Sequence, residues 1–286
     1  MPTIAVKTRR PRKQGPDTVS ALVRGIEVLR CFQPDSRALS NGDIAQRTGI
    51  PKPTVTRLAG TLVTLGFLKQ LRETDMYAMS AGVLSLAHAF LSGLDVRTSA
   101  RPHMMELAES ADASVYLAVR DDLEMVLVET CRSHSTMLRS RVSVGSRLML
   151  ATAASGRAYL SALGAAERDA LIGQMRHAYG ARWNSYAPGL ARALKNATAC
   201  GYALSAGEWH PDINTIAVPL LSAEGELMAV TCDGPAFAFS PERLRKVIAP
   251  LLRETAHTIA REIGGFVPVT ARTGTRARRA TIRALA

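Results

Sequence analysis

Apolar positions recur at helical spacing three times between residues 17 and 66. They then give way to short, strand-like runs. Leu22, Ile26 and Leu29, with Val23 and Phe32 alongside, form one face of a helix. Ser20 stands where a cap belongs, and Pro34, Asp35 and Ser36 end the helix. Ser40 precedes Asp43 by three residues, the spacing of a capping box, and predicts a short helix from Asn41 to about Thr48. Gly49 supplies the left-handed residue that closes it. Pro51 and Pro53 then open a third helix, where a missing N–H costs nothing. Its inward stripe is Val55, Leu58, Ala59, Leu62 and Val63. Beyond Gly66, Phe67–Leu71 and Met76–Met79 read as a hairpin around Arg72–Asp75.

Three helices and a hairpin in this order predict a winged helix-turn-helix over residues 17–79. Ala45 is small where two helices cross, Gly49 makes the sharp turn, and Val55 plugs the angle between the helices. Lys52, Thr54, Thr56 and Arg57 remain outside on the first turns of the third helix. These side-chain types reach phosphates and base edges in a major groove. Lys69 on the hairpin is a further phosphate-contact candidate. A winged helix used for protein contacts would share the fold, but it would not need this polar first turn.

Val83, Leu84, Leu86, Ala87, Phe90, Leu91 and Leu94 predict a helix from about Ser80 to Leu94 that is too apolar to stay solvated. It either packs on its own chain or forms a seam between two copies. The seam suits a reader of two-fold operators. Residues 80–98 are therefore expected to be a linker and dimerisation helix.

From residue 99 to 266 helices and strands alternate irregularly. Helix is expected at Arg101–Ser110, at about Ala153–Leu163, near Glu167–Met175 and at Leu190–Cys200. Strands are expected at Ser114–Val119, Met125–Glu129, Met137–Val142, Tyr202–Ala206, Thr215–Leu221 and Leu227–Cys232. Ser240 and Pro241 open a last helix to Ile263. The chain as a whole is α+β, with a sheet covered by helices in this second domain.

Charge changes the picture only at the ends. The net charge is +12, and ten of those charges lie in residues 1–16 and 267–286, which carry no acid. The two ends read as basic, disordered arms that either aid solubility or touch phosphate. The second domain is neutral. A non-specific DNA binder would use the arms, but it has no need of a second domain of this size. Four scattered cysteines without a CxxC pair suit a reducing cytosol and argue against a disulfide scaffold or a zinc site. No secretory signal and no membrane-length apolar run is present, so a cytoplasmic protein without a membrane partner is expected.

Nucleophile elbow, dinucleotide fingerprint and P-loop are all missing, and no two of the six histidines share a helix face. No catalytic residue, metal or cofactor is expected. Glu208-Trp209-His210 is the one local cluster with acid–base character, and a loop at a pocket rim explains it more simply. Arg139, Arg141 and Arg147 could meet an anion or simply line a solvated strand edge.

The chain resembles the IclR family of bacterial regulators over about residues 18–265. In the head the resemblance rests on Ser20-Ala-Leu-Val-Arg24-Gly, Asp43-Ile-Ala-Gln-Arg-Thr-Gly-Ile-Pro51, Thr54-Val-Thr-Arg57-Leu and Gly66-Phe-Leu. In the body it rests on Val144-Gly-Ser-Arg147-Leu, Gly156-Arg157-Ala, Gly201-Tyr, Glu208-Trp, Ile216-Ala-Val-Pro219 and Gly234-Pro235. It implies a GAF-like effector-binding second domain, a homodimer or dimer of dimers, and a double-stranded DNA operator contacted also by Arg24. The effector implied is a small organic acid of aromatic or keto type. Its pocket, carried over by position, comprises Leu148, Leu150, Ala153, Ala154, Ser155, Gly156, Ser205, Glu208, Thr215, Thr231 and Asp233. Two positions depart from the family pattern: Ser205 stands where an acid is common, and Asp233 where a small hydroxyl residue is. That exchange leaves open which acid binds, or whether the ligand is an acid at all.

Overall fold

Local spacing and the observed elements agree closely in the head. The computed structural model describes residues 18–134 and 142–268, in two units that part between Gly93 and Leu94. The arm at 1–16, the five arginines of the C-terminal tail, Arg139, Arg141 and nearly all of the strand expected at Met137–Val142 lie outside the described residues. In the first unit α1 (Ser20–Arg30), α2 (Asn41–Thr48) and α3 (Lys52–Thr64) precede a hairpin of β1 (Leu68–Gln70) and β2 (Tyr77–Met79). The capping box forms: Ser40 N donates to Asp43 Oδ2 at 2.9 Å, and Asp43 N donates to Ser40 Oγ at 3.1 Å. Gly49 closes α2 at φ 72°, donating to Ala45 O. Leu39 bridges Tyr77 through two backbone bonds and so adds a third strip beside the hairpin.

The first helix departs from expectation. Its N-cap is Val19, with Ser20 already inside the helix. Leu22 and Ile26 stay exposed, while Val28 and Cys31 enter the core with Ile44, Val55, Ala59, Leu62, Leu68 and Tyr77. The helix is apolar on two faces, and its own sequence does not say which one the other helices will cover.

The linker also differs. Helix α4 runs Gly82–Ser92, and α5 begins at Asp95, so 80–98 is two helices with a break at Gly93 and Leu94. The break falls at Leu94, whose non-helical backbone (φ −100°, ψ 82°) cannot continue a helix. No residue of α4 is buried, and Leu84, Leu86 and Phe90 each lie more than half exposed.

The second unit is built on six antiparallel strands in the order β5-β4-β3-β8-β7-β6. After α5 (Asp95–Ala111) come β3 (Ser114–Asp121), β4 (Glu124–Arg132) and β5 (Arg147–Met149). Then follow α6 (Ala154–Ala162), α7 (Ala165–Tyr179), α8 (Trp183–Cys200), β6 (Ala203–His210), β7 (Ile213–Leu221) and β8 (Leu227–Pro235). The last helix opens as α9 (Pro241–Arg243), passes through a π turn at Leu244–Ile248 and ends as α10 (Ala249–Glu262). Ser240 Oγ caps it by accepting from Arg243 N. Helices α5 and α10 pack on one face of the sheet, and α6 and α8 on the other. The face under α6 is lined with small residues, Ala118, Ala203, Ala217 and Ala229, which let the helix sit close. Among the described residues no helix is long and apolar enough to cross a membrane.

Candidate functional site

On the head, Lys52, Thr56 and Arg57 are exposed on the first turns of α3, Thr54 is half-buried beside them, and Lys69 is exposed on β1. Arg24 is exposed on α1. Thr56 is not a loose hydroxyl. It donates to Lys52 O at 3.1 Å and accepts from Asn41 Nδ2. Sequence reading missed Asn41, because only folding brings the start of α2 against α3.

On the second unit, strand register assembles a polar row. Ser114 of β3 pairs with Asp233 of β8, Asp233 with Thr215 of β7, and Thr215 with Ser205 of β6. Two residues along runs a second row, Tyr116–Thr231–Ala217–Ala203. Alternation along a strand puts both rows on the same face, the one that carries Ala118 and Ala229 beneath α6. Ser114, Tyr116, Ser205, Thr215, Thr231 and Asp233 are all buried there.

The β5–α6 connection covers this face. Leu148, Leu150, Ala153, Ala154, Ser155 and Gly156 are buried. Ala153 caps α6 by backbone alone, and the first intrahelical bond is Arg157 N to Ala153 O at 3.1 Å. The N–H groups of Ala154, Ser155 and Gly156 precede that bond, which makes this end of the helix an anion-favouring terminus. Gly156 is required by packing: a Cβ there would collide with the Leu150 backbone.

Buried hydroxyls mark the same place. Ser155 Oγ, Ser205 Oγ and Thr231 Oγ1 are buried without a hydrogen-bond partner, three of six such side-chain atoms among the described residues. Each costs about 1–3 kcal/mol unless something fills it. Asp233 accepts from the Tyr116 hydroxyl at 3.3 Å, and burial pushes its carboxyl up to about 7, against the opposing pull of Tyr116, Arg132 and Ser114.

Glu208 is already ion-paired. It lies on the bulged end of β6 and is held by Arg157 and, at 3.7 Å, by Arg192. Its carboxylate fills the notch at Gly189, where a Cβ would come within 2.6 Å of Oε1. Arg157, only 2% exposed, also donates to Ala151 O at 3.0 Å and Leu204 O at 2.8 Å. It therefore ties the β5–α6 connection to the strand that carries Ser205. Its only sequence signal was the Gly156-Arg157-Ala triplet. Arg147 is taken up by Glu124 and Asp121. On the opposite face, a groove of about 460 Å³ is lined by Arg97, Arg101 and Glu129. Both arginines there are paired with the buried Glu129.

The chain matches two family models: "Bacterial transcriptional regulator IclR C-terminal" over residues 88–261 and "IclR helix-turn-helix domain" over residues 21–72. It is 30% identical over 259 residues to the HTH-type transcriptional regulator TsaQ1/TsaQ2 of Comamonas testosteroni, covering 90% of this chain and 93% of the relative. An IclR family transcriptional regulator from Brucella abortus superposes with a TM-score of 0.79 at 42% identity, over 86% of this chain and 94% of that one. An IclR homolog from Microbacterium hydrocarbonoxydans, complexed with 4-hydroxybenzoate, superposes with a TM-score of 0.69 at 25% identity, over 86% and 99%.

Proposed function

Because the chain belongs to the IclR family of bacterial transcriptional regulators, and is therefore a DNA-binding regulator rather than an enzyme, we propose that a small organic acid controls its grip on a two-fold operator. The observation that carries this reading is the coincidence of three unpartnered buried hydroxyls with the N-terminus of α6, which no side chain caps. Backbone N–H groups hold a carboxylate, the hydroxyls complete its shell, and the alanines and leucines around them select the body of the ligand. The 4-hydroxybenzoate in the Microbacterium homolog supports an aromatic acid of that size.

The operator is read by Thr54, Thr56 and Arg57 on base edges, with Arg24, Lys52 and Lys69 on phosphates. Two copies meet through α4, whose Leu84, Leu86 and Phe90 the chain itself leaves exposed. A thermal-shift screen of aromatic, keto and hydroxy acids tests the ligand reading. Stabilisation should rise with concentration as RT ln(1 + [L]/Kd), and the same acid should change operator affinity in a mobility-shift titration. An acid that stabilises without touching operator affinity overturns the regulatory role.

A further inference from the structure

We infer that the effector presents a hydrogen-bond donor to Asp233, so that the molecule sensed is a monocarboxylic acid with a hydroxyl or amino group at its other end. This rests on the proposed pocket and deepens it.

The polar groups on the α6 face differ in what they still lack. Above its raised value of about 7 the Asp233 carboxyl is ionised, with about four lone-pair sites and no proton to give. Asp233 is 3% exposed, and the neighbours that bond it are Tyr116, at 3.3 Å, and Ser114. Its charge has no ion-pair partner within 4 Å among the described residues. A buried carboxylate so placed calls for another donor and repels another carboxylate. The neighbouring hydroxyls of Thr231, Ser205 and Ser155 are different. Each can donate as well as accept, and together with the α6 N-terminus they suit an acceptor.

Register separates these two demands. Thr231 lies two residues from Asp233 along β8, and Ser205 lies two strands away across β7. Those offsets correspond to ~7 Å along a strand and ~10 Å across two strand spacings. One small molecule therefore meets an acceptor at one end and donors at the other. A diacid offers two acceptors, and an unsubstituted acid leaves Asp233 unmet.

The test is calorimetric titration of the full-length protein at about pH 8.5, where Asp233 is ionised, with two matched series. One is benzoate, 4-hydroxybenzoate, 4-aminobenzoate and terephthalate. The other is hexanoate, 6-hydroxyhexanoate, 6-aminohexanoate and adipate. In the series that fits, the hydroxy or amino acid should bind at least about ten-fold more tightly than its parent, the yield of one hydrogen bond to a charged group. The diacid should bind worst. The preference should vanish in Asp233→Ala, and fall several-fold in the isosteric Asp233→Asn should the alanine variant not fold.

Equal affinity for parent and donor-bearing acid, or a preference that survives Asp233→Ala, overturns the inference while leaving the acid pocket standing. Two neutral donors, 4-hydroxybenzamide and 1,6-hexanediol, separate the two readings from the other side. If they bind as tightly as the hydroxy acids, the carboxylate reading fails and the donor requirement survives. If nothing in either set binds, both fall.

Discussion

Asn41, the first residue of α2, donates its side-chain amide to Oγ1 of Thr56 on the second turn of α3. The bond joins the two helices of the helix-turn-helix through the very residue offered for base reading. It restrains the Thr56 hydroxyl, which also donates to Lys52 O. Arg57, the next residue along, is exposed.

Two effects on DNA follow. Arg57→Ala should cost about 1–3 kcal/mol on the cognate operator and relax preference at one base position. Asn41→Ala and Thr56→Val should be non-additive by about 0.5 kcal/mol or more, since they share one bond. Fluorescence anisotropy with operator and random duplexes decides both; equal loss on the two duplexes would remove the base-reading role.

Helix α4 makes a prediction about assembly. Leu86→Asp with Phe90→Asp places two charges on an otherwise apolar helix face. If that face is the seam between two copies, burying the charges costs several kcal/mol, and sedimentation velocity should show monomers. A dimer of undiminished stability would put the seam on another surface.

Arg157 predicts a stability effect out of proportion to a single polar residue. Its replacement by Met keeps the bulk but strands Ala151 O, Leu204 O and part of the Glu208 carboxylate. A loss of about 3 kcal/mol or more in urea unfolding is expected. Glu208→Gln should cost much less, because its side chain is one-third exposed and the amide oxygen can still accept from Arg157.

Asp233 predicts a pH dependence whose sign is opposite to that of an ordinary salt-bridged acid. Burial raises its folded-state value from 3.8 to about 7. Between those values the folded chain holds more protons at this site than the unfolded chain, so Asp233 lowers stability as pH rises from about 4 to 7. Above that range the penalty is fully present. Asp233→Asn removes it, so the variant should gain on the wild type by more than about 1 kcal/mol between pH 5 and pH 8, one pKa unit being ~1.4 kcal/mol. Parallel denaturation curves at the two pH values would contradict the buried, charged form.

Local sequence determined the elements of the head, though not which face of α1 is covered. The Ser40–Asp43 box, the left-handed Gly49 and the prolines before α3 act over three or four residues, so their consequences are legible before any fold is known. Five of the six strands of the second unit were legible too, as short apolar runs, whereas the three-residue β5 was not. What the tertiary structure decided are relations between distant residues. Ser114, Asp233, Thr215 and Ser205 line up only because β3, β8, β7 and β6 pair in one register. Tyr116 reaches Asp233 across that same pairing. Leu22 and Ile26 turn outward because the rest of the first unit covers the other face of α1. Glu208 finds its partner, Arg157, fifty-one positions earlier in the chain. Periodicity reports which residues share an element's face. Which face meets which, and which charge finds which partner, depends on packing between elements, whose free energy no single segment carries.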